Sequence, residues 1–188
     1  MPIAVVLSMM TSITLTGAFH EDGLADAVDG LGGSLDRARA LEIMKDSRID
    51  VFGAVALMLV LLLKFATLCA LPLRTATWAL IAGHAVSRLG AVIIMATLPY
   101  VREADDSRSK SLVRRLSTVS LLVGCVTAAL AVIPLQLRGI AGAIGVLCVC
   151  LLWRQYLRRR LGGYTGDCLG AAQQLAEGMF YIVCAAVW

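Results

Sequence analysis

Long apolar runs alternate with short polar segments along almost the whole chain. The runs lie at about 1–18, 51–73, 77–99, 116–137, 139–153 and 169–188. Most of them approach or exceed the roughly 20 apolar residues that a helix needs to cross a bilayer core. The fifth run is short and Gly-rich, which predicts a tilted or closely packed helix. The pattern predicts an all-α, polytopic transmembrane helix bundle of about six spans, folded as a single integral membrane domain over 1–188.

Composition excludes an ordinary soluble domain. Hydrophobic residues make up 59% of the chain and charged residues only 16%, against roughly 45–50% and about 25% in soluble domains. Five of the 6 cysteines fall in apolar runs and form no zinc or disulfide pattern, so we expect reduced thiols. The net charge of +4 comes from basic loop residues. We assign it to membrane topology and expect no nucleic-acid partner.

The basic residues also predict the orientation of the chain. Most of the 17 Lys and Arg residues fall in three alternate loops, at 20–50, 100–115 and 154–168. The positive-inside rule makes the side with these loops cytoplasmic. The stretch FHEDGLADAVDG at 19–30 lies on the same side, so its acidic residues are predicted to face the cytosol.

Three aspartates stand close together in that stretch. If it is helical, Asp22, Asp26 and Asp29 have i, i+4 and i+7 spacing and lie on one helix face. Like charges at this spacing repel, so we expect a cation to neutralise them, and oxygen ligands favour Mg²⁺ shared with substrate phosphates. The interleaved Gly23 and Gly30 would let a ligand approach the backbone. A solvated charged face is the simpler alternative.

A second acidic pair follows in ALEIMKDSRIDVFG. Glu42 and Asp46 have i, i+4 spacing, and Lys45 and Arg48 stand beside them. Carboxylates that hold a metal next to cations that hold phosphate are the combination that phosphoryl transfer requires. Beside the first cluster, this pair strengthens the prediction of a phosphate-handling site.

The third polar element is LGGYTGDCLGAAQQLAE, at the start of the last apolar run. Gly163 and Gly166 precede Asp167, which is placed to cap the last helix. Glu177 then enters the apolar run, and an ionisable group inside a membrane is expected to be functional or paired.

Three basic side chains inside the apolar runs allow more than one interpretation. Arg88 either binds a phosphate or pairs with Glu177, and Lys64 either contacts substrate or extends to the membrane surface. His84, one turn before Arg88, is interpreted as a packing or hydrogen-bonding residue.

Together these motifs resemble the cobalamin synthase family, the adenosylcobinamide-GDP ribazoletransferases. The matching stretches are LTGAFHEDGLADAVDGLGG (15–33), LEIMKDSRIDVFG (41–53), GHAVSRLGAVIIMATLPYVRE (83–103) and GGYTGDCLGAAQQLAE (162–177). The resemblance implies a multi-pass enzyme of the bacterial inner membrane that requires Mg²⁺. It would join α-ribazole, or its 5′-phosphate, to adenosylcobinamide-GDP and release GMP. It also implies a chain that is short at its N-terminus relative to the family.

The resemblance and the clustering together give each candidate residue a hypothetical role. The metal ligands would be Asp22, Asp26, Asp29 and Asp46. The catalytic residues, including the acceptor of the hydroxyl proton, would be Asp22, Asp26 and Asp167. The substrate-binding residues would be Lys45, Arg48, Arg88, Gly163 and Gly166. The bilayer is an expected partner, and homo-oligomerisation is left open.

Three other interpretations are weighed against this one. CDP-alcohol phosphotransferases also place aspartates at helical spacing, but Asp26 and Ala27 stand where their D-x-x-D-G-x-x-A-R motif needs Ala and Arg. A small carrier would use Lys64, His84, Arg88 and Glu177 as an intramembrane path, although the two halves of the chain show no repeat. An inactive remnant of the family is the third.

Overall fold

The computed structural model describes residues 1–101 and 117–187, and these residues form an all-α structure, as predicted. The helices are α1 (Pro2–Thr16), α2 (Phe19–Gly33), α3 (Arg37–Ile43), α4 (Val51–Ala70), α5 (Leu73–Thr97), α6 (Thr118–Val132), α7 (Gln136–Arg160) and α8 (Gly166–Ala186). The predicted basic loop at 100–115 lies almost wholly outside the described residues.

A sharp corner separates α1 from the acidic helix α2. Gly17 and Ala18 both adopt left-handed backbone conformations, with φ of 62° and 56°. The Ala18 amide donates to the Ile13 carbonyl, which ends α1 in the usual way for a left-handed cap. The two helices are bent by 84° relative to each other. The first apolar run therefore does not continue straight into the aspartate cluster.

Several helices fit a membrane protein by length and hydropathy. In the described residues the runs Val51–Ala70, Leu73–Thr97 and Thr118–Arg160 qualify as spans, and the bent pair α1–α2 is a fourth if it counts as one. Large apolar side chains such as Leu59 and Leu62 of α4 point outward. The count of about six spans stays a prediction.

The run Thr118–Arg160 is two antiparallel helices. A straight helix of its 43 residues would be about 65 Å long, roughly twice the bilayer core. Instead, Gly124 of α6 faces Leu89, and Cys150 of α7 faces Gly90, so both helices pack at the same level of α5. A 3₁₀ turn at Ile133–Leu135 reverses the chain. The fifth predicted span, 139–153, lies within α7, which begins at Gln136 and continues to Arg160.

Helix α8 lies at the centre of the bundle and has buried residues along its length. Small residues allow its neighbours to approach closely. A Cβ on Gly23 of α2 would lie 3.2 Å from the Cα of Gly170, and a Cβ on Gly30 would collide with Met44. These two glycines contact neighbouring helices, so the expectation that they admit a ligand is wrong. They serve the close helix packing that small residues allow in membranes.

Candidate active site

The acidic side chains of helix α2 differ in their exposure. Asp22 is exposed and Asp26 is half-buried, whereas Glu21 and Asp29 are buried. The helical spacing of the three aspartates is as predicted, but the helix is surrounded by α4 on one side and α8 on the other. Only Asp22 and Asp26 therefore face outward from the bundle.

Asp29 joins α2 to the beginning of α4. Its carboxylate accepts hydrogen bonds from the backbone amides of Asp50, at 2.8 Å, and Gly53, at 2.6 Å. The first amides of a helix have no partner within that helix, and the side chain of Asp50 makes no capping bond. Asp29 supplies the missing acceptor from another helix, and both of its oxygens are engaged. This cap gives Asp29 a structural role that competes with the predicted metal role.

The cap predicts that Asp29→Ala destabilises the protein. Loss of a helix cap typically costs about 0.5–2 kcal/mol, and the two amides would be left buried without an acceptor. We expect a lower midpoint of thermal unfolding in detergent, with an unchanged Mg²⁺ concentration for half-maximal turnover. Asp29→Asn, which keeps one acceptor oxygen, should lose less stability. A large shift in the Mg²⁺ midpoint would instead place Asp29 in the metal site.

Asp167 lies in the first turn of α8, against the outward turn of α2. A Cβ on Gly23 would lie 3.1 Å from the Asp167 carbonyl oxygen, so Asp167 adjoins the turn that carries Asp22 and Asp26. The cap of α8 is Thr165, whose Oγ1 accepts from the Cys168 amide at 3.3 Å. The predicted capping role of Asp167 is therefore wrong. Its carboxylate accepts a hydrogen bond from the Thr165 hydroxyl, at 3.3 Å.

The two glycines before α8 have different surroundings. Gly163 is buried against the backbone of Pro99, and the Tyr164 amide donates to the Pro99 carbonyl at 2.9 Å. A Cβ on Gly166 would meet no atom within 4 Å. Gly163 therefore fits a packing role, and only Gly166 offers open space beside Asp167.

Asp46, Lys45 and Arg48 lie at the other end of α2. Arg48 forms a two-pronged ion pair with Asp46, and the hydrogen bonds that Arg48 donates lower the pKa of the Asp46 carboxyl to about 2. Lys45 is exposed. These residues border or adjoin a polar basin that reaches Gly33. Because Gly33 is about 10 Å beyond Asp26 along the helix axis, the structure separates them from Asp22 and Asp26.

The outward face of α2 fits a magnesium ion that is shared with substrate. Within the described ranges, no three His, Cys, Asp or Glu side chains converge on one point. Mg²⁺ is usually held by one or two carboxylates together with substrate phosphates and water. Asp22 and Asp26, one helical turn apart and outward-facing, provide such a pair.

Comparison with known proteins assigns the chain to a family. The family model CobS, cobalamin-5-phosphate synthase, matches residues 1–185. The chain belongs to the cobalamin-5-phosphate synthase family. The match covers nearly the whole chain and decides against the CDP-alcohol phosphotransferase and carrier interpretations.

Curated relatives of this cobalamin-5-phosphate synthase family member carry the name adenosylcobinamide-GDP ribazoletransferase. The protein of Polaromonas sp. is 46% identical, with 96% of this chain and 71% of the relative covered. That of Shewanella amazonensis is 43% identical, with 99% and 74% covered. That of Vibrio cholerae serotype O1 is 45% identical, with 96% and 70% covered. No solved structure matches the chain.

The family member also carries a buried charged network that sequence patterns located only in part. Lys64 of α4 forms an ion pair with Glu177 of α8, with 3.3 Å between Nζ and Oε1, and donates a hydrogen bond to Gln174. Tyr181 donates to Glu177 at 2.8 Å. Lys64 is only 4% exposed. It therefore does not extend to the membrane surface, whereas a contact between Lys64 and substrate stays a prediction.

His84 lies next to the second carboxylate oxygen of Glu177. Its Nδ1 lies 3.5 Å from Oε2 of Glu177, and its Nε2 lies 3.5 Å from the Ser12 hydroxyl of α1. The expected hydrogen-bonding role of His84 is consistent with these contacts. Arg88 donates to the His84 carbonyl at 3.0 Å. Among the described residues, Glu177 forms its ion pair with Lys64 and its other oxygen lies next to His84, so the alternative in which Arg88 is its partner is wrong.

Sequence reasoning missed Glu21 and His20. Glu21 Oε1 accepts a hydrogen bond from Gln174 at 2.8 Å, and Glu21 and His20 line one pocket together with Arg88. Helical geometry is the sequence signal that could have located Glu21. Glu21 precedes Asp22 by about 100° of rotation, so it had to point toward a different neighbour.

Proposed function

We propose that this chain joins α-ribazole, or its 5′-phosphate, to adenosylcobinamide-GDP and releases GMP. Family membership over residues 1–185 and the names of the relatives support the reaction. The observation that carries the assignment of the site is the contact of Gly23 with Asp167. This contact places the backbone of Asp167 beside the turn of α2 that carries the exposed Asp22 and the half-buried Asp26.

Asp22 and Asp26 would hold Mg²⁺ at this point. When bound, the ion would neutralise charge on the pyrophosphate of adenosylcobinamide-GDP. The two carboxylates suit this task because they lie one turn apart on the outward face of α2 and leave positions for phosphate oxygens. The first turn of α8, which begins at Gly166, points backbone amides toward the same region and favours an anionic ligand.

Asp167 is our candidate for the acceptor of the hydroxyl proton. A ribose hydroxyl of α-ribazole would attack the phosphorus on the cobinamide side of the pyrophosphate. A new P–O bond forms, the P–O bond to the GMP phosphate breaks, and the hydroxyl proton passes to the carboxylate. The Thr165 hydroxyl donates to Asp167 at 3.3 Å and orients this carboxylate.

Arg88, Lys45 and Arg48 stay proposals as phosphate ligands. Arg88 is half-buried and lies with His20 in the pocket next to Asp22. Lys45 and Arg48 are exposed beside the polar basin and would serve a part of the substrate that extends beyond Asp26.

The active face is proposed to be the cytoplasmic face of the bacterial inner membrane. The last turn of α7 carries Arg158, Arg159 and Arg160. Arg160 donates to the carbonyls of Leu31, at 3.3 Å, and Ser34, at 2.6 Å, and these contacts tie the basic end of α7 to α2. The acidic helix and a basic membrane flank therefore share one end of the bundle, which supports a cytoplasmic position by the positive-inside rule.

The test is product formation by the purified chain in lipid nanodiscs. Adenosylcobinamide-GDP and α-ribazole are supplied with Mg²⁺, and adenosylcobalamin and GMP are quantified by chromatography. We expect both products in equal amounts, none in EDTA, and none with a CDP-alcohol as donor. Equal product in EDTA would overturn the metal assignment. No product from the folded chain would overturn the activity and favour the inactive remnant.

A further inference from the structure

Two buried acceptor atoms at the centre of the bundle have no donor among the described residues. They are Oε2 of Glu21 and Oε1 of Gln173. Glu21 is 9% exposed and Gln173 is 2% exposed, and both side chains line the same pocket between α1, α2, α5 and α8. Burying an acceptor without a donor costs free energy, so two such atoms in one pocket indicate a ligand that supplies N–H or O–H groups.

The pocket shares part of its lining with a groove between α1 and α5. Residues common to the pocket and the groove are Ser8, Ser12, Thr16, His84 and Arg88. These residues add hydroxyls and a guanidinium, which can donate hydrogen bonds, beside the unsatisfied acceptors further inside.

The charges around the pocket favour a neutral ligand group. The ammonium of Lys64 is compensated by Glu177, and the negative charge of Glu21 on α2 and the positive charge of Arg88 on α5 both border the pocket. What the pocket needs is a group that both donates and accepts. A primary carboxamide does so, with two N–H donors and a carbonyl acceptor.

We propose that the pocket and the groove bind the carboxamide side chains of the corrinoid half of adenosylcobinamide-GDP. This inference rests on the proposed function, whose substrate carries such amides around its macrocycle. Amide N–H groups would donate to Glu21 Oε2 and Gln173 Oε1, and amide carbonyls would accept from the Ser12 hydroxyl and Arg88. The macrocycle would occupy the α1–α5 groove.

The position of the pocket agrees with the covalent structure of that substrate. The corrinoid and the diphosphate are parts of one molecule, so their sites must adjoin. Glu21 and Asp22 are consecutive residues of α2, with Glu21 directed into the pocket and Asp22 directed outward to the proposed metal. A substrate that wraps around this turn would reach both sites at once.

The test uses Glu21→Gln, which keeps the bond from Gln174 and replaces the unsatisfied acceptor by an N–H donor. Binding of adenosylcobinamide, which has no GDP, is followed by corrinoid absorbance with the protein in nanodiscs. We expect the Kd to rise by about tenfold. We also expect the KM for adenosylcobinamide-GDP to rise by a similar factor, while the KM for α-ribazole and kcat change little.

Three controls separate this inference from the proposed function. Asp36→Asn makes the same acid-to-amide change at an exposed cap of α3, where Asn caps as well as Asp, and should leave the Kd unchanged. Asp22→Asn should stop turnover and still bind adenosylcobinamide. Binding is measured without chemistry, so a wild-type chain that fails to turn over still tests the pocket.

Unchanged binding in Glu21→Gln would overturn the inference. If its unfolding midpoint falls while Kd and KM stay at wild-type values, the pocket is part of a structural network only, filled by water. If Glu21→Gln does not fold, the same measurements are made on Gln173→Met. This variant removes the second acceptor and keeps a similar side-chain volume.

Discussion

Replacing Asp22 or Asp26 by Asn is expected to lower turnover by at least about 100-fold at saturating substrate, a typical loss when a charge-stabilising group is removed. Asn keeps the size of the side chain and removes the negative charge that would hold Mg²⁺. Asp22 is exposed and Asp26 is half-buried, and Asn matches Asp in shape, so the fold should be retained. The measurement is GMP release at several Mg²⁺ concentrations. Excess Mg²⁺ should partly restore turnover in a variant whose affinity for the ion is reduced.

Asp36→Asn is the matched control for this prediction, since it changes an exposed carboxylate on α3 to the same amide. It should turn over at the wild-type rate with the wild-type Mg²⁺ midpoint. Full activity of Asp22→Asn at limiting Mg²⁺ would show that the metal is held elsewhere.

Lys64→Met is expected to destabilise the folded protein strongly. It removes the ammonium partner of Glu177 and leaves a carboxylate with 4% exposure inside the bundle. Breaking a buried pair from one side typically costs about 3–5 kcal/mol, because the remaining charge is uncompensated. The double variant Lys64→Met, Glu177→Gln should recover much of the loss. Tyr181 and His84 would then contact a neutral amide.

Thermal unfolding of the detergent-solubilised protein can be followed by the reaction of its thiols. Cys150, Cys168 and Cys184 are buried and should react only on unfolding, whereas Cys125 and Cys148 are exposed and give the initial signal. Lys45→Met is the control, because Lys45 is exposed and its loss should not move the midpoint. Equal midpoints for Lys64→Met and wild type would mean that the buried pair adds nothing to stability.

Local patterns predicted much of the architecture and the chemistry. The apolar runs gave α4 and α5 within a few residues, because a helix that faces lipid must be apolar over its length. The spacing of Asp22 and Asp26 placed them on one face, since helical periodicity is a property of the local chain. The residue motifs pointed to the family that the comparison found.

The tertiary structure decided which of the similar residues share a site. Asp29 has the same spacing as the other two aspartates, but α4 begins beside it and uses its oxygens as a cap. The sequence predicts Arg88 as a possible partner of Glu177, but helix packing brings Lys64 to Glu177 instead. Asp46 is close to Asp26 in sequence but lies beyond the far end of α2.

The sequence by itself therefore determined most of the helices, the membrane class, the family and the placement of the three aspartates of α2 on one helix face, since these follow from local sequence patterns. The assignment of Asp29 to a cap, of Lys64 to Glu177 and of Glu21 to an inner pocket depended on which helices meet. Those helix–helix contacts depend on small residues such as Gly23 and Gly170, whose lack of a side chain lets two backbones approach each other.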